Sequence, residues 1–507
     1  MIGFSTKQSN IKEELPMYNS IVNFIRKDVK EIEGIIREIL SGTKDGTDLT
    51  MEIQDRVEAL GNHMISEIYE ILDEEIFKSI VRKKKWYVEH KNEPREILDA
   101  MGMLRFRRRG YVPKNGGENI YLLDEIMGIS GHQRVTLAAA AKALEEAIES
   151  SYAKGGRTAS RKEGISKEKV KELVHGTMIE MPEAEAKEKK KIKQLHIVAD
   201  EDHVAAQFWE KKGDLEMDSR GNKINTLMPK IVVVYEDIVD EAPEGSKKHR
   251  YRLTGKKTFS GMYSGSDNLR LWEEVRDYIY DNYDPETLER VYIAGDGAAW
   301  IKAGADVISN SRFVLDKFHI MKYINSSVAH LENAEEIKGL LWEYINGAHK
   351  KELKAQYREI LKVTESPGKH EEVEKALRYF MNNWDGIEIR KTERGGVWGC
   401  CAEAQVSHVL SDRLSSRPMG WSRLGCDHMA QLRAYTRNGG KVIDLLRYQK
   451  KEQEKEMRRH EQDELICDLR RRQGSWKYSE CMEAVVPGLE KPDMRWLKDM
   501  IHNVIGA

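Results

Sequence analysis

Two carboxylates stand where the sequence could place chemistry. Gln194-Leu-His-Ile-Val-Ala199 is a short apolar run ending on Asp200, and Arg290-Val-Tyr-Ile-Ala294 runs into Gly295-Asp296-Gly297. Short apolar runs bounded by turn residues read as buried strands. Acids just past the ends of neighbouring strands come together, and their oxygens suit a hard cation such as Mg2+. Two such ions about 3.5–4 Å apart activate a water or hydroxyl and stabilise a leaving phosphate oxygen. The glycines around Asp296 let the backbone turn sharply or approach a ligand. A strand ending in Gly-Asp-Gly is also common structure.

The first site offers more than one acid, because Asp200 is followed by Glu201, Asp202 and His203. Strand periodicity puts Asp200 and Asp202 on one face, so both could reach a metal. Asp200 lies nearer the strand proper, and turn chemistry or exposure is the other reading of Asp202 and His203. A third carboxylate is needed on a helix that returns to the sheet. Glu403, in WGCCAEAQVSHVLSDRLSSRPMGWS, opens such a helix. Glu393 is its rival, in a Gly-rich loop where an exposed charge is the plainer reading.

The elements that must position these acids form a central α/β block. Strands are expected at 194–199, 230–235 and 250–253, with DSRGN as a hairpin turn between the first two, making an antiparallel meander. An amphipathic helix over 269–283, the strand 290–294, a helix over 298–307 and the strand 312–315 follow. Three antiparallel strands, a helix, a strand, a helix and a strand are the order of an RNase-H-like fold. Residues 320–392 are helical in pattern, helix resumes over 403–412, and the tail from 442 to 472 is a charged helix.

Upstream, residues 15–80 read as helices for packing or self-association. Short apolar runs around a KNGG turn then read as a β-hairpin whose first strand carries Arg105, Arg107, Arg108 and Arg109. Four arginines in five residues exceed what a solvated edge strand needs, and phosphate contact is the expectation. Residues 132–176 have a helix-turn-helix layout, with Ser166 as N-cap and Lys167 and Lys169 on the last helix. The polar run 181–193 reads as a linker.

These segments together carry a resemblance. ADEDHVAAQ, LWEEVRDYIYDNYD, YIAGDGAAWIKAG, FVLDKFHIMKYI and AEAQVSHVLSDRLSSRPMGWSRLGCDHMAQLRAYTRNGG resemble DDE transposases of bacterial insertion sequences, specifically the Lre-type insertion-sequence family. RFRRRGYV, LLDEIMGIS and ISKEKV upstream also match, so the likeness runs from about residue 80 to 445. It implies an α/β RNase-H-like catalytic core with a helical insertion, preceded by a mainly helical DNA-binding region. It implies a catalytic and metal-binding triad of Asp200, Asp296 and Glu403, with Mg2+ as cofactor and Mn2+ as a substitute. Asp316-Lys-Phe-His319 fits the Cys-or-Asp, two residues, His signature of related enzymes. His319 would then contact DNA, or be a packed structural histidine. Arg413 and Arg417 are further phosphate contacts or helix-end salt bridges. Asp-Glu-Asp stands where many related cores read Asp-Gly-Thr, which leaves the ligand assignment at the first acid open.

The implied activity is metal-dependent cleavage and strand transfer of DNA, in which the carboxylates act only as ligands. The partners would be terminal inverted repeats and target DNA, with at least a dimer of the chain on DNA. A non-catalytic DNA-binding regulator, or a nuclease that cuts without joining, are the alternatives. The expected divisions are a helical region 1–90, a DNA-binding domain 91–180, the linker, a core of 194–325 and 395–445, an insertion 326–394, and a tail 446–507.

Composition limits the rest. The 83 Lys and Arg nearly cancel 85 Asp and Glu, giving a net charge of −2, which argues against a uniformly basic coat but not against local basic patches. The sequence has no run of about 18 apolar residues and no signal-peptide pattern. Its five cysteines (Cys400, Cys401, Cys426, Cys467, Cys481) include no CxxC pair, so neither a zinc ribbon nor a disulfide framework is expected. Cys400-Cys401 reads as a buried small pair, and Trp384 as core rather than a base-stacking residue. A bacterial cytoplasmic, nucleoid-associated protein is the expectation.

Overall fold

The computed structural model describes residues 19–179, 188–207, 226–393, 401–417, 419–457 and 460–473. The expected DSRGN turn, Cys400 and Cys481 lie outside them. The chain forms two compact units, one of residues 1–142, 157–165 and 450–507, the other of residues 143–156 and 166–449. No helix among the described residues is long and apolar enough to cross a membrane.

In the first unit the long helix Gly46–Lys78 starts at a reciprocal cap between Asp45 and Asp48. It lies along a two-stranded ribbon of β1 (Trp86–Asp99) and β2 (Gly102–Pro113). The ribbon reverses between Asp99 and Gly102, where Gly102 has a φ of +136°. The arginine strand is therefore the second strand of the hairpin, not the first. The KNGG turn reverses the chain again, but only to a single bridge between Tyr111 and Ile120. Alternation along β2 buries Leu104, Phe106 and Arg108 and turns Arg105 and Arg107 outward.

The outer edge of β2 is covered by the long helix. Ser66 Oγ accepts from the Arg105 N–H at 3.3 Å, Glu70 Oε1 from Arg107 at 2.8 Å and Asp73 Oδ1 from Arg109 at 3.2 Å. Asn62 Nδ2 donates to the Met103 carbonyl at 2.8 Å. An edge that could template another strand is thus occupied by side chains.

The second unit is built on a five-stranded sheet of β3 (Gln194–Glu201), β6 (Lys230–Tyr235), β9 (Lys257–Gly261), β10 (Arg290–Gly295) and β11 (Ser311–Leu315), in the order β11-β10-β3-β6-β9. β3, β6 and β9 form an antiparallel meander, while β10 runs parallel to β3 and β11 parallel to β10. Two short pairs stand outside it: β4 (Val204–Ala205) with β5 (Thr226–Leu227), and β7 (Asp237–Asp240) with β8 (Tyr251–Thr254). The third strand of the meander is therefore 257–261. The expected strand at 250–253 belongs to the outer β7–β8 ribbon.

One sheet face carries Leu195, Ile197, Val232, Val234, Val291 and Ile293 into a core with Leu271, Trp272 and Val275 of the helix Asp267–Asn282. The helix Ala402–Val406 packs against β3 and β6, and Arg423–Arg437 against β9. The insertion is five helices, from Lys317–Val328 to Trp384–Thr392, with their own core around Tyr357, Phe380 and Trp384. Trp384 is a core residue there, only 2% exposed.

Candidate active site

Asp200 and Asp296 come to the same level of the sheet. Val198 pairs with Ala294 across the parallel β3–β10 junction, so two residues further on Asp200 and Asp296 face each other at adjacent strand ends. Neighbouring strands lie about 4.8 Å apart. Side-chain alternation puts both acids on the face opposite the Trp272 core. The close approach depends on Gly295, where a Cβ would come within 2.9 Å of the Ala199 carbonyl. Gly297 holds a φ of +89°, a conformation that side chains disfavour. Asp296 Oδ1 accepts from the Ala298 N–H at 2.8 Å, fixing the turn.

Glu403 opens the helix Ala402–Val406 and is exposed. Its charge reaches Asp200: burial first, then the charges of Asp296 and Glu403, push the Asp200 carboxyl up to about 7, against the Glu201 N–H and His319. Glu393, by contrast, accepts from the Tyr292 hydroxyl at 2.9 Å and pairs with Arg290 at 3.1 Å. Those partners lie on β10 before its carboxyl end, so Glu393 is engaged away from Asp296.

The Asp-Glu-Asp run divides its labour. Glu201 accepts from Trp300 Nε1 at 3.1 Å. Asp202 accepts from Ser411 Oγ at 3.1 Å and Ser415 Oγ at 2.8 Å. The strand ends at Glu201, so the alternation that placed Asp202 beside Asp200 does not continue. Asp202 instead ties the sheet to the helical stretch that begins with Glu403.

His319 belongs to the same neighbourhood. Asp316 caps the helix Lys317–Val328 through the Phe318 N–H at 3.0 Å, and its other oxygen lies 3.0 Å from His319 Nδ1. The Asp316 N–H donates to the Gly295 carbonyl at 2.9 Å, which joins the ends of β10 and β11. Burial disfavours the imidazolium, but the Asp316 hydrogen bond and the charges of Asp316, Asp200 and Asp296 outweigh it and raise the His319 pKa. The Asp-x-x-His spacing thus joins a helix cap, made by Asp316, to a ring whose protonated form Asp316, Asp200 and Asp296 favour.

The expected DNA contacts divide sharply. Arg105 and Arg107 are exposed, Arg105 beside Glu96 at 2.8 Å and Arg107 donating to the Asn92 carbonyl at 3.1 Å. Arg108 is buried against Asp124 and stacks over the Tyr121 ring at 3.6 Å. Arg109 is held by Asp73 at 2.7 Å and Glu74 at 2.5 Å. Arg413 is 2% exposed, donates to the Ala147 carbonyl at 2.9 Å and lies over the Trp421 ring at 4.7 Å. For Arg108 and Arg413 the phosphate reading is corrected, because a buried guanidinium with protein partners cannot reach a duplex. Arg417 is exposed.

Ser166 caps the helix Lys167–Gly176 through the Lys169 N–H at 3.1 Å, as its position implied. Residues 158–166 separate this helix from Tyr152–Arg157, a longer link than the three- or four-residue turn of a helix-turn-helix. Val170 and Val174 are buried on the side facing Arg423–Arg437, while Lys167 and Lys169 are exposed.

Several supporting residues gave no signal in the sequence. The Tyr379 hydroxyl donates to the Asp296 carbonyl at 2.8 Å. Lys230, buried in β6, donates to the Tyr263 carbonyl at 3.0 Å and lies 4.9 Å from the Trp300 ring centre. Arg433 is fully buried and donates to the backbone carbonyls of Ile148, His408 and Val409. Each looks in sequence like any polar residue of a helix or strand.

An all-carboxylate donor set suits a hard divalent cation, and the upward pressure on Asp200 is what such a cation would relieve. Among the described residues no three His, Cys, Asp or Glu side chains close on one point, so the donors are grouped but not drawn into a cage. Cys401 stands two residues before Glu403, and burial pushes its thiol up to about 11.

The chain belongs to an uncharacterised protein family, UPF0236, whose model matches residues 44–453. Relatives of that family from Caldanaerobacter subterraneus subsp. tengcongensis are similar to it. One is 34% identical over 443 residues, covering 87% of this chain and 83% of the relative. Another is 33% identical over 438 residues, covers 86% of each, and has a name that joins eleven locus designations. The Drosophila P element transposase strand transfer complex is 12% identical over 54% of this chain and 68% of that one, with a TM-score of 0.15, too low to establish a common fold.

Proposed function

We propose that the protein is the transposase of a bacterial insertion sequence, a metal-dependent enzyme of the DDE class. It would bind terminal inverted repeats, cut the DNA there and join the freed 3′-hydroxyl to target DNA. The observation that carries this reading is the meeting of Asp200 and Asp296 at one level of two adjacent parallel strands, with the charge of Glu403 felt at Asp200. The strand and helix order of the sheet, three antiparallel strands, helix, strand, helix and strand, is the order of an RNase-H-like core and speaks for the same reading. A relative carried at eleven loci is what a self-copying sequence produces.

Asp200, Asp296 and Glu403 would hold Mg2+, or Mn2+, which when bound lowers the pKa of an attacking water or hydroxyl and neutralises charge on the phosphate. The chain's own residues do the positioning. Gly295 and Gly297 let the Asp296 backbone turn at the sheet edge. His319, held by Asp316 and with its protonated form favoured by the nearby carboxylates, would donate to a phosphate oxygen. Exposed Arg105, Arg107, Lys167, Lys169 and Arg417 offer phosphate contacts that supply affinity and not sequence. Joining two ends requires at least a dimer on DNA, and a nucleoid-associated cytoplasmic location follows from the substrate.

The test is strand transfer with the repeat sequences that flank the reading frame, in Mg2+. Wild type should cut and join, while Asp296→Ala should bind the same ends yet lose activity by about a thousandfold or more. Binding without cleavage by wild type would make the protein a DNA-binding regulator, and cutting without joining would make it a nuclease.

A further inference from the structure

The helical insertion is fastened to the loop that carries Asp296. The Tyr379 hydroxyl, near the end of the helix Pro367–Asn382, donates to the Asp296 main-chain carbonyl at 2.8 Å. One ring face of Tyr379 is fixed by Tyr323, whose centroid lies 3.9 Å away at an interplanar angle of 21°. One turn later, the Asn383 amide nitrogen donates to the Tyr379 carbonyl at 2.9 Å. The Asn383 side chain fills the space that a Cβ on Gly297 would need. Asn383 is 5% exposed, and its amide oxygen has no hydrogen-bond partner, so it is kept buried against the loop at an energetic cost. Lys302, on the short helix after the loop, donates to the Asn382 carbonyl at 2.9 Å.

Three contacts between one helix end and the seven residues 296–302, two of them on Asp296 and Gly297 themselves, are more than packing of an appended domain requires. From this geometry we infer that Tyr379 is a positioning residue for Asp296, and that the end of the insertion helix, Tyr379 with Asn383, sets the direction in which the Asp296 carboxylate meets a divalent cation. The inference rests on the DDE reading of Asp200, Asp296 and Glu403. Groups that orient a metal ligand act through it, and removing them typically weakens metal affinity or activity by about 10–100-fold. The phenol does this through the backbone: it holds the Asp296 carbonyl, while the carboxylate stays fixed by the Ala298 N–H.

Tyr379→Phe removes the hydroxyl and keeps the ring stacked on Tyr323. The experiment is Mn2+ binding to the full chain, followed by electron paramagnetic resonance without DNA, beside a thermal melt. The expected result is an increase in the Mn2+ dissociation constant of about tenfold or more with an unchanged Tm, and a lower kcat for end cleavage with an unchanged KM for DNA. Asn383→Ala should move the same constant in the same direction by a smaller factor, which keeps the test open if Tyr379→Phe folds poorly. Wild-type Mn2+ affinity in both variants, with Asp296→Asn clearly weakened, would overturn the positioning role and leave the DDE reading standing. If Asp296→Asn also binds Mn2+ as wild type does, the carboxylate reading fails and the inference with it.

Discussion

The β1–β2 ribbon and the carboxyl ends of β3 and β10 treat charge in opposite ways. In the ribbon, three of the four arginines between positions 105 and 109 meet carboxylates: Arg105 with Glu96, Arg108 with Asp124, and Arg109 with Asp73 and Glu74. At the strand ends, like charges face each other, and burial together with Asp296 and Glu403 pushes Asp200 up to about 7. The first arrangement pairs three of its charges within the protein, whereas the second keeps a carboxylate whose charged form is disfavoured, with His319 and the Glu201 N–H acting against that rise. A dense run of one charge in sequence is therefore a weaker sign of a binding site than a pair of like charges that the fold forces together.

The comparison can be broken most severely at Arg108. Arg108→Met should destabilise the first unit by about 3–5 kcal/mol, because Asp124 stays buried without its partner. Arg105→Met should change stability by less than about 1 kcal/mol, since that pair is exposed. Chemical denaturation of both variants and of Arg108→Met/Asp124→Leu checks this, and the double variant should recover most of the loss. If Arg108→Met alone is neutral, the ribbon is not self-sufficient.

A second prediction uses the same sheet face further from the acids. His196 is stacked between Tyr235 and Tyr292, with centroids at 5.3 and 5.6 Å, and burial lowers its pKa from 6.5 to about 4. Above pH 6.5 the ring is neutral folded or unfolded and has no effect. As the pH falls from 6.5 towards 4, the unfolded chain takes a proton that the folded chain refuses. Stability should then fall, by up to about 3 kcal/mol. His196→Phe should flatten that part of a stability–pH curve, and an unchanged slope would refute it.

Asp200 has the opposite sign. Its folded carboxyl titrates at about 7 instead of 3.8, so the penalty on the charged form is complete above pH 7 and fades as the pH falls towards 3.8. In metal-free buffer at pH 8, Asp200→Asn should raise stability by about 1–3 kcal/mol while abolishing strand transfer. A destabilised Asp200→Asn would mean that the strand ends are as self-satisfied as the ribbon.

The smallest effect concerns DNA. Arg105→Gln or Arg107→Gln should each lower the slope of log affinity against log salt by about one, while Arg413→Gln should leave the slope unchanged. Titrations of labelled duplex at several salt concentrations measure it.

Much of this was readable from residues 194–316. Apolar runs ending on acids placed Asp200 and Asp296 correctly at strand ends, because burial on both faces leaves a continuous apolar pattern. The third strand was not readable. Lys257-Thr-Phe-Ser-Gly261 looks like a loop, yet Ser260 and Gly261 are buried, the serine donating to the Lys230 carbonyl at 2.7 Å. Tyr251–Thr254 has the better strand composition and forms only the outer ribbon. Arg108 and Arg413 depart from the phosphate expectation for a related reason: a guanidinium that finds a carboxylate or a carbonyl inside the protein has the same letter as one that waits for phosphate. Tyr379 and Asn383 could not be found, since only tertiary structure brings the insertion to the Asp296 loop.

The side chains that cover the edge of β2, one donor and three acceptors, form a vernier. Asn62, Ser66, Glu70 and Asp73 advance along their helix in steps of four, four and three residues, about 6, 6 and 4.5 Å. Their partners at 103, 105, 107 and 109 advance by about 6.8 Å each time. Two rulers with unequal divisions coincide over a short span only, and here the reach of the side chains makes up the difference. Single substitutions within 62–73 remove one mark. Inserting or deleting one residue there turns every later mark by about 100° and leaves the strand edge bare. Variation in this stretch should therefore come as exchanges of residues and not as changes of length.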